Sequence, residues 1–503
     1  MKLPRLLVLP LLALVAITSV AVAATNSNAP RPNFVVILAD DLGWGDLGSY
    51  GHPHIRTPNL DRLASGGVRL TDCYSTSPVC SPSRVGLLTG RDPNRAGVYE
   101  WIANAPEDWI AKERSRHLVH MRANEITLPQ LLRDAGYATA MAGKWHCNSR
   151  FNDTAQPQPS DAGFDHWLAT QNNAAPSHAD PINFVRNGVP AGRIEGFSAQ
   201  IVARELIGWL EQQQTDDPDT PFFMFAAFHE PHEPIASPND LIEHHLPHTR
   251  NPDEARYFAN VENMDRAIGD LLDALDRMNL AENTLVFFTS DNGPETIYRY
   301  PGTHRCYGSP GPLRGMKLWT TEAGSRVPGI VRWPGKIDPG QVSSVPVSAL
   351  DLLPTFCALG RATIPSDLAL DGTNFLPALR GQAVERDRPL FWVYFNALND
   401  QRVALREGPW KLIAKLDGGK LPMLDNVTTA NAARVQHAEL TDFSLYHLDN
   451  DISEMNELSE EEPEVLQRMQ ATMEKLYREL TASMHVWPDE PYPTAEAATA
   501  AAM

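Results

Sequence analysis

The sequence is short of positive charge. Its 503 residues include 43 Lys and Arg against 62 Asp and Glu, which gives a formal net charge of −19. Proteins that bind nucleic acid neutralise phosphates with a basic surface, so we expect no nucleic acid partner. An anionic substrate would need cations concentrated at one site, because the field of the whole molecule opposes its approach.

Long hydrophobic runs are also scarce. One run, Leu6–Val20, stands between a short start that contains Lys2 and Arg5 and the small residues Ala21-Val22-Ala23. This order is typical of a secretory signal peptide, so residues 1–23 are predicted to be removed on export, which leaves a periplasmic or secreted protein. No cysteine follows the cleavage pattern to indicate a lipid anchor, and no later run is long enough to predict a membrane span.

Cysteine is rare, with five residues in the chain: Cys73, Cys80, Cys147, Cys306 and Cys357. An exported protein meets an environment that permits disulfides. Because five is an odd number, at least one cysteine has no partner within the chain. That residue is either a free thiol or something other than a thiol.

What the sequence does contain is a regular alternation of strands and helices. Four apolar runs are predicted as strands buried on both faces: Asn33–Ala39, Tyr137–Ala142, Pro221–Phe228 and Leu285–Thr289. Helices are predicted from Pro58 to a stop at Gly66, over Leu128–Ala135 and over Asp253–Met278. The alternation predicts an α/β fold with a large doubly wound, mixed but mainly parallel sheet flanked by helices.

The pattern changes after about Gly381. Short strand-like segments follow in close succession, before a predicted helix over Glu462–Leu480; they are Leu390–Phe395, Val403–Arg406, Trp410–Ile413 and Leu445–Leu448. We therefore predict an α/β domain over residues 24–383 and a smaller domain of antiparallel sheet plus helix over residues 384–485. Residues 486–503 are rich in Ala, Pro and Thr and are predicted to be a mobile tail.

The stretch Cys80-Ser81-Pro82-Ser83-Arg84 is the most informative in the chain. Pro82 can begin a helix, and Arg84 then lies one turn beyond Cys80 on the same face. A nucleophile at a helix N-terminus beside a guanidinium is suited to a tetrahedral oxyanion. The alternative is a buried cysteine next to a surface helix start, but the motif is long and its parts cooperate, which favours function.

This stretch resembles the signature of the type I sulfatases, a family of the alkaline phosphatase superfamily, and matches its pattern Cys-x-Pro-x-Arg at every fixed position. The family's second signature is matched by Gly136–Lys144, with Trp145-His146 following. In that family a maturation enzyme that binds transiently oxidises the signature cysteine to Cα-formylglycine. The resemblance implies that Cys80 is this residue, which would explain the odd number of cysteines.

Two pairs of oxygen-bearing residues follow predicted strands, Asp40-Asp41 and Asp291-Asn292. In a doubly wound sheet, ligands bind at the carboxyl ends of the strands. Oxygen donors of this kind suit Ca²⁺, with Mg²⁺ second, and the lack of a His/Cys cluster at these strand ends argues against zinc. Alone, each pair is more often a turn or a solvated strand end. The resemblance reverses these odds and implies a cation held by Asp40, Asp41, Asp291, Asn292 and the modified Cys80.

The resemblance also implies a set of catalytic residues, which are Cys80, Arg84, Lys144, His146, His232 and Lys317. Pro231-His232-Glu233-Pro234 is similar to the family's His-bearing segment, and His229 is the neighbouring alternative to His232. Leu313–Lys317 resembles the segment that supplies a second lysine. The family more usually has glycine where Ala323 stands.

The implied reaction is hydrolysis of a sulfate ester, and the motifs most resemble those of N-acetylgalactosamine-6-sulfatase and arylsulfatase-type enzymes. The substrate would be a sulfated saccharide or an aryl sulfate. One hydroxyl of the hydrated aldehyde would attack sulfur while Arg84, Lys144, Lys317 and the cation spread the charge. His232 with Lys317 would protonate the leaving oxygen, and His146 would take the proton that allows sulfate to leave.

Two loops are expected to set specificity, Tyr99–Arg122 and Thr296–Pro312. They carry four residues that could contact sugar, although each is as readily a packing or surface residue: Trp101, Trp109, His304 and Arg305.

Two other functions are alternatives to the sulfatase. Phosphomonoesterases and phosphodiesterases of the same superfamily use Ser or Thr as nucleophile and commonly two metals, so Cys80 within its full signature argues against them. A non-catalytic carbohydrate-binding relative would leave Cys80 unconverted. Nothing in the sequence supports that alternative, since every expected site residue is present.

Overall fold

The computed structural model describes residues 30–105, 116–418, 421 and 425–490 of the chain. The predicted signal peptide, residues 491–503 of the predicted tail and Trp109 lie outside the described residues. Among the described helices, none combines the length and the apolar character that crossing a bilayer requires.

A large mixed sheet organises the described part of the chain. Its eleven strands are β1 (Asn33–Asp40), β2 (Val68–Tyr74), β3 (Ala138–Lys144), β4 (His166–Thr170), β5 (Phe184–Arg186), β6 (Val189–Gly192), β7 (Phe222–Pro231), β8 (Thr284–Ser290), β9 (Arg326–Arg332), β10 (Gln341–Ser343) and β11 (Val347–Ser348). Their order is β10-β2-β9-β8-β1-β7-β3-β4-β5-β6, with β11 beside β2. The central run β8-β1-β7-β3-β4 is parallel throughout, while β9, β5 and β6 pair antiparallel.

Ten α-helices accompany this sheet among the described residues. In chain order they are α1 (Pro58–Ser65), α2 (Cys80–Thr89), α3 (Leu128–Asp134), α4 (Ser198–Asp216), α5 (Asn239–His245), α6 (Pro252–Arg277), α7 (Glu322–Ser325), α8 (Leu352–Gly360), α9 (Ala432–Gln436) and α10 (Pro463–Ser483).

The central strand β1 shows why helices cover both faces of the sheet. All of its residues are buried, and alternate side chains of a strand point to opposite faces. Its even-numbered apolar residues, from Phe34 to Leu38, pack into one core with α2, α3 and α8. Its odd-numbered ones, from Val35 to Ala39, pack into a second core with α1, α4 and α6. The predicted α/β fold with a doubly wound, mainly parallel sheet is therefore confirmed.

A smaller antiparallel sheet follows in the chain. It has the order β12 (Leu390–Val393), β13 (Val403–Glu407), β14 (Trp410–Asp417) and β15 (Glu439–His447). Helix α10 packs on it through Met469 and Met473, which lie in the same core cluster as Leu405 and Leu412. This is the predicted antiparallel sheet plus helix. Its core is continuous with the first core of the large sheet, and the boundary at residue 383 stays a prediction.

Some elements differ from the sequence-based expectation. Helix α2 begins at Cys80, two residues before Pro82. Strands β2, β4 and β9 and helix α4 were not predicted. Trp487 falls within the predicted tail, yet it is buried and its indole donates to the carbonyl of Gly97 at 2.7 Å. The packed part of the chain therefore extends at least two residues past the predicted boundary.

Candidate active site

The candidate site lies where four neighbouring parallel strands end. In the order β8-β1-β7-β3, these ends carry Asp291-Asn292, Asp40-Asp41, the segment to His232, and Lys144. Because the strands are parallel and adjacent, their carboxyl ends meet at one edge of the sheet. The structure thus brings together residues that are more than 250 positions apart in the chain.

Cys80 is the first residue of α2 and is buried against these strand ends. Its Sγ lies 3.6 Å from Oδ1 of Asp40, 3.8 Å from Oδ1 of Asp41 and 3.4 Å from Nζ of Lys317. Burial raises the pKa of the Cys80 thiol well above its usual value, and the nearby Lys144 offsets this only in part. A thiol in that state stays protonated at neutral pH and is a weak nucleophile.

Arg84 follows Cys80 by one helical turn and is 1% exposed. Its Nε donates to Oδ2 of Asp291 at 2.9 Å, and its Nη1 donates to the carbonyl of Lys144 at 2.9 Å. The guanidinium also lies 3.6 Å from Asp40. Arg84 therefore ties together the ends of β8, β3 and β1, which places a permanent positive charge beneath the site.

Each of the two aspartates at the end of β1 pairs with a lysine. Nζ of Lys144 lies 2.6 Å from Oδ2 of Asp40, and Nζ of Lys317 lies 2.8 Å from Oδ2 of Asp41. Although burial opposes it, Asp41 and Cys80 hold the pKa of Lys317 well above its usual value. Burial raises the pKa of Asp41, but Lys317 and His232 outweigh it, so the net shift is downward. Both members of the Lys317–Asp41 pair are charged at neutral pH.

Lys317 comes from a loop that is docked onto the turn after β8. The amide of Lys317 donates to the carbonyl of Pro294 at 2.9 Å, and the amide of Gly293 donates to the carbonyl of Gly324 at 2.9 Å. A Cβ at Gly293 would lie 1.7 Å from the carbonyl oxygen of Ala323. Glycine is therefore required at position 293 for the two segments to approach this closely.

The backbone at the site adopts uncommon conformations. Asp41, His146 and Leu318 all have positive φ angles, of 64°, 54° and 69°. Non-glycine residues in this region cost about 1–3 kcal/mol each and persist only where the surroundings enforce them. Asp41 and His146 are themselves assigned to the site, and Leu318 directly follows Lys317. Local backbone strain therefore accompanies the orientation of these site residues.

The residues at the strand ends fit a divalent cation. Ligand atoms of Asp40, Asp41, Cys80 and His232 lie within 4.8 Å of one another. Asn292 donates to Oδ1 of Asp41 at 2.7 Å, while its own Oδ1 is buried without a hydrogen-bond partner among the described residues. An unpaired buried amide oxygen beside two carboxylates is a donor set for a hard cation.

Asp291 is engaged differently from the other two carboxylates. Its Oδ1 accepts from the amide of Asp41 at 3.1 Å, and its Oδ2 accepts from Arg84. Burial, followed by the charge of Asp40, raises the pKa of Asp291 to about 6. A cation bound beside these carboxylates would lower that pKa, because it stabilises the ionised form.

The two signature histidines offer different nitrogens. His146 points Nε2 at the carbonyl oxygen of Ile102, 3.0 Å away, and its Nδ1 is buried with no hydrogen-bond partner in the described part of the chain. Burial, followed by Lys144 and Arg84, lowers the pKa of His146 well below its usual value. Because a carbonyl accepts only from a protonated nitrogen, Nε2 holds the proton and Nδ1 is left as a base.

His232 has the opposite arrangement. Its Nδ1 lies 2.6 Å from the carbonyl oxygen of Glu233, so Nε2 is the nitrogen that faces Asp41, at 3.5 Å. Burial lowers the pKa of His232 to about 4, although Asp41 acts in the other direction. His232 lines the cavity above Cys80.

The alternative histidine, His229, is fully buried, and its Nε2 lies 2.8 Å from Oγ1 of Thr170. That hydroxyl donates to the carbonyl of Asn172 at 2.6 Å, so it accepts from His229. Among the described residues, the lining of the cavity includes His232 but not His229. This placement favours His232 of the two.

A cavity of about 550 Å³ opens above Cys80. Besides the site residues it is lined by aromatic, amide, acidic and basic side chains, which include Glu100, Trp101, Asn172, Asn173, Glu233, Arg299, Tyr300, Tyr394 and Asn396. Trp101 and Arg299 come from the two loops that were expected to set specificity. His304 and Arg305 are not in the described lining, and Arg305 instead lies 3.3 Å from Asp253.

Comparison with protein families gives two matches. The sulfatase family model matches residues 32–361, and the model described as N-sulphoglucosamine sulphohydrolase, C-terminal, matches residues 316–419. The chain belongs to the sulfatase family. This is the family of formylglycine-dependent sulfatases, and the protein is a sulfuric ester hydrolase.

Named sulfatases align with most of this chain. N-acetylgalactosamine-6-sulfatase of Homo sapiens is 37% identical over an alignment of 386 positions, which covers 73% of this chain and 69% of that protein. Arylsulfatase A of Homo sapiens is 34% identical over 513 aligned residues, which cover 93% of this chain and 92% of that protein. Among solved structures, Ps i-CgsB in complex with k-i-k-neocarrahexaose has a TM-score of 0.73 and 27% identity, covering 92% of this sulfatase and 95% of that chain.

Several residues that line the cavity of this sulfatase were not predicted from the sequence. Asn172 and Asn173 follow β4, a five-residue strand that was not predicted. Tyr394 and Asn396 follow β12, the first strand of the small sheet. No local pattern marks these residues. The pairing of β4 with β3 brings Asn172 and Asn173 to the cavity, and the packing of the small sheet against the large one brings Tyr394 and Asn396 there.

All five cysteines of the sulfatase are buried and free of disulfides. Because none of the five is paired, their odd number does not single out Cys80 as the one without a partner. Cys80 is distinguished from the other four by its position among the charged groups at the strand ends.

Proposed function

We propose that this sulfatase hydrolyses a sulfate ester of a carbohydrate or an aryl alcohol, with Cys80 converted to Cα-formylglycine. We further propose that Asp40, Asp41, Asp291 and Asn292, with the modified Cys80, hold a divalent cation, Ca²⁺ in preference to Mg²⁺. One observation carries the proposal: Cys80 opens a buried helix between two carboxylates and Lys317.

The modified residue and the cation would supply what the unmodified chain lacks. The hydrated aldehyde would provide a nucleophilic oxygen, and a cation held by Asp40, Asp41, Asp291 and Asn292 would supply positive charge near the sulfuryl oxygens. Every other part of the reaction falls to side chains of this chain.

The charge balance of the site supports an anionic substrate. Three buried carboxylates, Asp40, Asp41 and Asp291, face three buried cations, Arg84, Lys144 and Lys317. Adding a divalent cation makes the site positive, so an ester that carries negative charge is drawn in against the acidic remainder of the molecule. The preformed positions of Lys144 and Lys317 lower the cost of stabilising charge in the transition state.

Two proton transfers are assigned to the histidines and Lys317. Nδ1 of His146 is unprotonated and buried, which suits it to accept a proton from a hydroxyl at position 80. Nε2 of His232 and Nζ of Lys317 both face Asp41 at the floor of the cavity, where they can donate to the leaving oxygen. A bound sulfate ester would raise the pKa of His232, because an anion favours the protonated imidazole.

The cavity supports a carbohydrate substrate. Trp101, Tyr300 and Tyr394 provide aromatic faces, and amide side chains provide hydrogen-bonding groups near Cys80. One relative is named N-acetylgalactosamine-6-sulfatase, and the structure of Ps i-CgsB holds k-i-k-neocarrahexaose. We therefore place sulfated sugars ahead of simple aryl sulfates as natural substrates.

Conversion and export are part of the same proposal. In the folded chain Cys80 is 2% exposed, so a maturation enzyme would act on it before or during folding. Export by the signal peptide at residues 1–23 would then deliver the enzyme to the periplasm or the medium, where polymeric sulfated substrates occur.

The test measures inorganic sulfate released from defined sulfated galactose, galactosamine and glucosamine saccharides and from an aryl sulfate. We expect turnover by the wild type, none by Cys80→Ala, and wild-type rates for Cys357→Ala, a buried thiol of α8 outside the described cavity lining. A chelator should abolish turnover, with Ca²⁺ restoring it better than Zn²⁺. Equal turnover by Cys80→Ala, or faster hydrolysis of the matching phosphate esters, would contradict the proposal.

A further inference from the structure

The loop that joins β12 to β13 lies against the segment that carries Lys317. The amide of Leu398 in this loop donates to the carbonyl of Leu318 at 2.9 Å. The amide of Thr320 donates to Oδ1 of Asn399 at 3.1 Å, across a separation of 79 positions in the chain. A loop of the small sheet therefore holds the backbone that directly follows Lys317.

Asn399 contacts Thr320 through both ends of its carboxamide. While its Oδ1 accepts from the amide of Thr320, its Nδ2 donates to Oγ1 of the same residue at 2.9 Å. That hydroxyl donates in turn to the carbonyl of Gln401 at 3.3 Å. Asn399 is 9% exposed and Thr320 is 3% exposed. Because a buried backbone amide needs a hydrogen-bond partner, the carboxamide of Asn399 determines where Thr320 lies.

Between Lys317 and this contact the backbone is strained. Leu318 has a φ angle of 69°, which a residue other than glycine keeps only where its surroundings enforce it. Its amide donates to the carbonyl of Pro78 at 2.8 Å, and its carbonyl accepts from Leu398. If the segment beyond Leu318 were released, the backbone could relax to a commoner conformation and carry the neighbouring Lys317 with it.

The position of Lys317 matters because its ammonium group works at short range. Its Nζ lies 2.8 Å from Oδ2 of Asp41 and 3.4 Å from Sγ of Cys80. Charged groups that are fixed in place before the reaction stabilise developing charge without the cost of reorganisation. A displacement of about 1 Å caused by a substitution far from the chemistry can slow a reaction about 100-fold.

We propose that Asn399 is a positioning residue for Lys317. It fixes Thr320 and thereby enforces the strained conformation of Leu318 that aims the lysine into the site. This inference rests on the role proposed above for Lys317. Asn399 is not among the described residues that line the cavity, so it acts through the lysine and not by touching the substrate. Its loop also contributes side chains to that lining, namely Tyr394, Asn396 and Leu398.

A double-mutant cycle in the full chain tests the proposal. Asn399→Ala and Lys317→Ala are made singly and together, and kcat/KM is measured on an activated aryl sulfate. We expect Asn399→Ala to lower kcat/KM by about 10- to 100-fold when Lys317 is present. Where Lys317 is already alanine, the further loss should be less than about twofold, because residues that act through one another are not additive. Asn399→Asp keeps an acceptor for the amide of Thr320 and should recover most of the rate.

Asn431→Ala is the matched control. Asn431 also uses both ends of its carboxamide, since it accepts from the amide of Thr428 at 2.9 Å and donates to the carbonyl of Asn426 at 2.8 Å. It lies outside the described cavity lining, so we expect wild-type kcat/KM even where urea unfolding shows a loss of stability equal to that of Asn399→Ala. Should Asn399→Ala not fold, Thr320→Val replaces it in the cycle, because valine keeps the size of the side chain but lacks the hydroxyl.

The same cycle on the affinity for inorganic sulfate, measured by calorimetry, separates this inference from the proposed function. A wild type that released sulfate from none of the esters would contradict the proposed function, and the sulfate affinities would then decide the role of Asn399 alone. Equal losses from Asn399→Ala with and without Lys317 would overturn the positioning role. So would a rate loss in Asn431→Ala as large as that in Asn399→Ala, or a sulfate affinity that neither Asn399→Ala nor Lys317→Ala changes.

Discussion

His146 and His232 lie in the same cavity, but hydrogen bonds to the backbone leave different nitrogens available. The carbonyl of Ile102 fixes the proton of His146 on Nε2, and the carbonyl of Glu233 fixes that of His232 on Nδ1. Each neutral ring therefore presents an unprotonated nitrogen, Nδ1 of His146 and Nε2 of His232. The proposal gives His146 the role of base, whereas His232 donates to the leaving group only after a bound anionic ester has raised its pKa and Nε2 has taken up a proton. The two roles act at different stages of the reaction.

A comparison of leaving groups separates these roles. A sugar alkoxide is strongly basic and needs a proton in order to leave, whereas a nitrophenolate departs largely unaided. We expect His232→Ala to slow hydrolysis of a sulfated sugar by about 10²–10⁴-fold and that of an activated aryl sulfate far less. His146→Ala should slow both substrates by similar factors. Steady-state kcat/KM values on the two substrates measure the difference.

His229→Ala is the matched control for this comparison, because His229 lies three residues away but bonds to Thr170 instead of lining the cavity. We expect it to show no dependence on the leaving group. Should His229→Ala show that dependence and His232→Ala not, the two assignments must be exchanged.

At the scale of elements, the turn after β8 and the loop that carries Lys317 act as one unit. Backbone hydrogen bonds join Gly293 to Gly324 and Lys317 to Pro294. The turn carries Asn292, which faces Asp41, and the loop carries Lys317, which faces the same carboxylate. The position of Asn292, a proposed cation ligand, and the position of Lys317 are therefore coupled.

Substitution of Gly293 tests this coupling. A Cβ there would overlap the carbonyl oxygen of Ala323, so Gly293→Ala should push the two segments apart. We expect a lower affinity for Ca²⁺ and a lower kcat together, measured by calorimetry and sulfate release. Gly208→Ala is the control, since a Cβ in that part of α4 meets nothing within 4 Å. It should leave both quantities unchanged and raise the free energy of unfolding by up to about 1 kcal/mol.

The edge of the large sheet provides a pH-dependent contact between elements. Glu205 of α4 lies 2.7 Å from Arg186 of β5 and 2.8 Å from His166 of β4. Burial opposes ionisation, but hydrogen bonds from Arg186 and His166 lower the pKa of Glu205 to about 2. Because the folded-state pKa lies below the unfolded one, the contact stabilises the fold above about pH 4.5 and loses its effect as the pH falls towards 2.

Glu205→Gln should therefore cost stability at neutral pH but not in acid. The carboxylate is partly exposed, so we expect a loss of no more than about 1 kcal/mol at pH 7, shrinking as the pH falls below about 4.5. Urea unfolding across this pH range gives the measurement. Glu211→Gln, an exposed glutamate of the same helix, should show no such trend. A difference between wild type and Glu205→Gln that stayed constant with pH would rule out the ionic origin.

The sequence predicts elements well where burial is uniform. The runs that became β1, β3, β7 and β8 are apolar on both faces, and that composition is specific to central strands of a parallel sheet. Strand β2 was missed because polar residues such as Arg69 and Asp72 interrupt its apolar pattern. Both residues are compensated by contacts that form only in the folded protein.

At the scale of the whole molecule, a buried ionic network joins the small sheet to the large one. Asp72 of β2 lies 2.5 Å from both Arg326 of β9 and Arg406 of β13. Glu322 of α7 lies 2.7 Å from Lys411 of β14 and accepts from Tyr74 of β2 at 2.6 Å. This network fixes the small sheet against the segment that follows Lys317, and the small sheet in turn contributes Tyr394 and Asn396 to the cavity.

Breaking this network should destabilise the whole molecule. Arg406→Ala leaves Asp72 with one of its two guanidinium partners in a buried place, so we expect a loss of about 3–5 kcal/mol in the free energy of unfolding. Arg468→Ala is the control, because Arg468 and its partner Glu407 are both exposed by more than 40%. It should cost no more than about 1 kcal/mol. Equal losses in the two variants would mean that the buried network contributes nothing specific.

The site was predictable from sequence to the extent that its residues sit in contiguous motifs. Cys80 with Arg84, Lys144 with His146 and Asp291 with Asn292 are each neighbours in the chain, so each pair could be named before the fold was known. The other residues that line the cavity above Cys80 could not be predicted in this way. Asn172 and Tyr394 reach it from a short strand and from the second sheet, and only the tertiary packing determines that they meet.

The central claim is that the enzyme works through an aldehyde at position 80, and mass spectrometry of the Cys80 peptide tests it most directly. Preparations with different degrees of conversion should show a specific activity proportional to the fraction of peptide in which an aldehyde replaces the thiol. Cys147 and Cys357 peptides from the same digests serve as internal controls and should retain their thiols. Full activity in a preparation whose Cys80 peptide carries only the thiol would contradict the account.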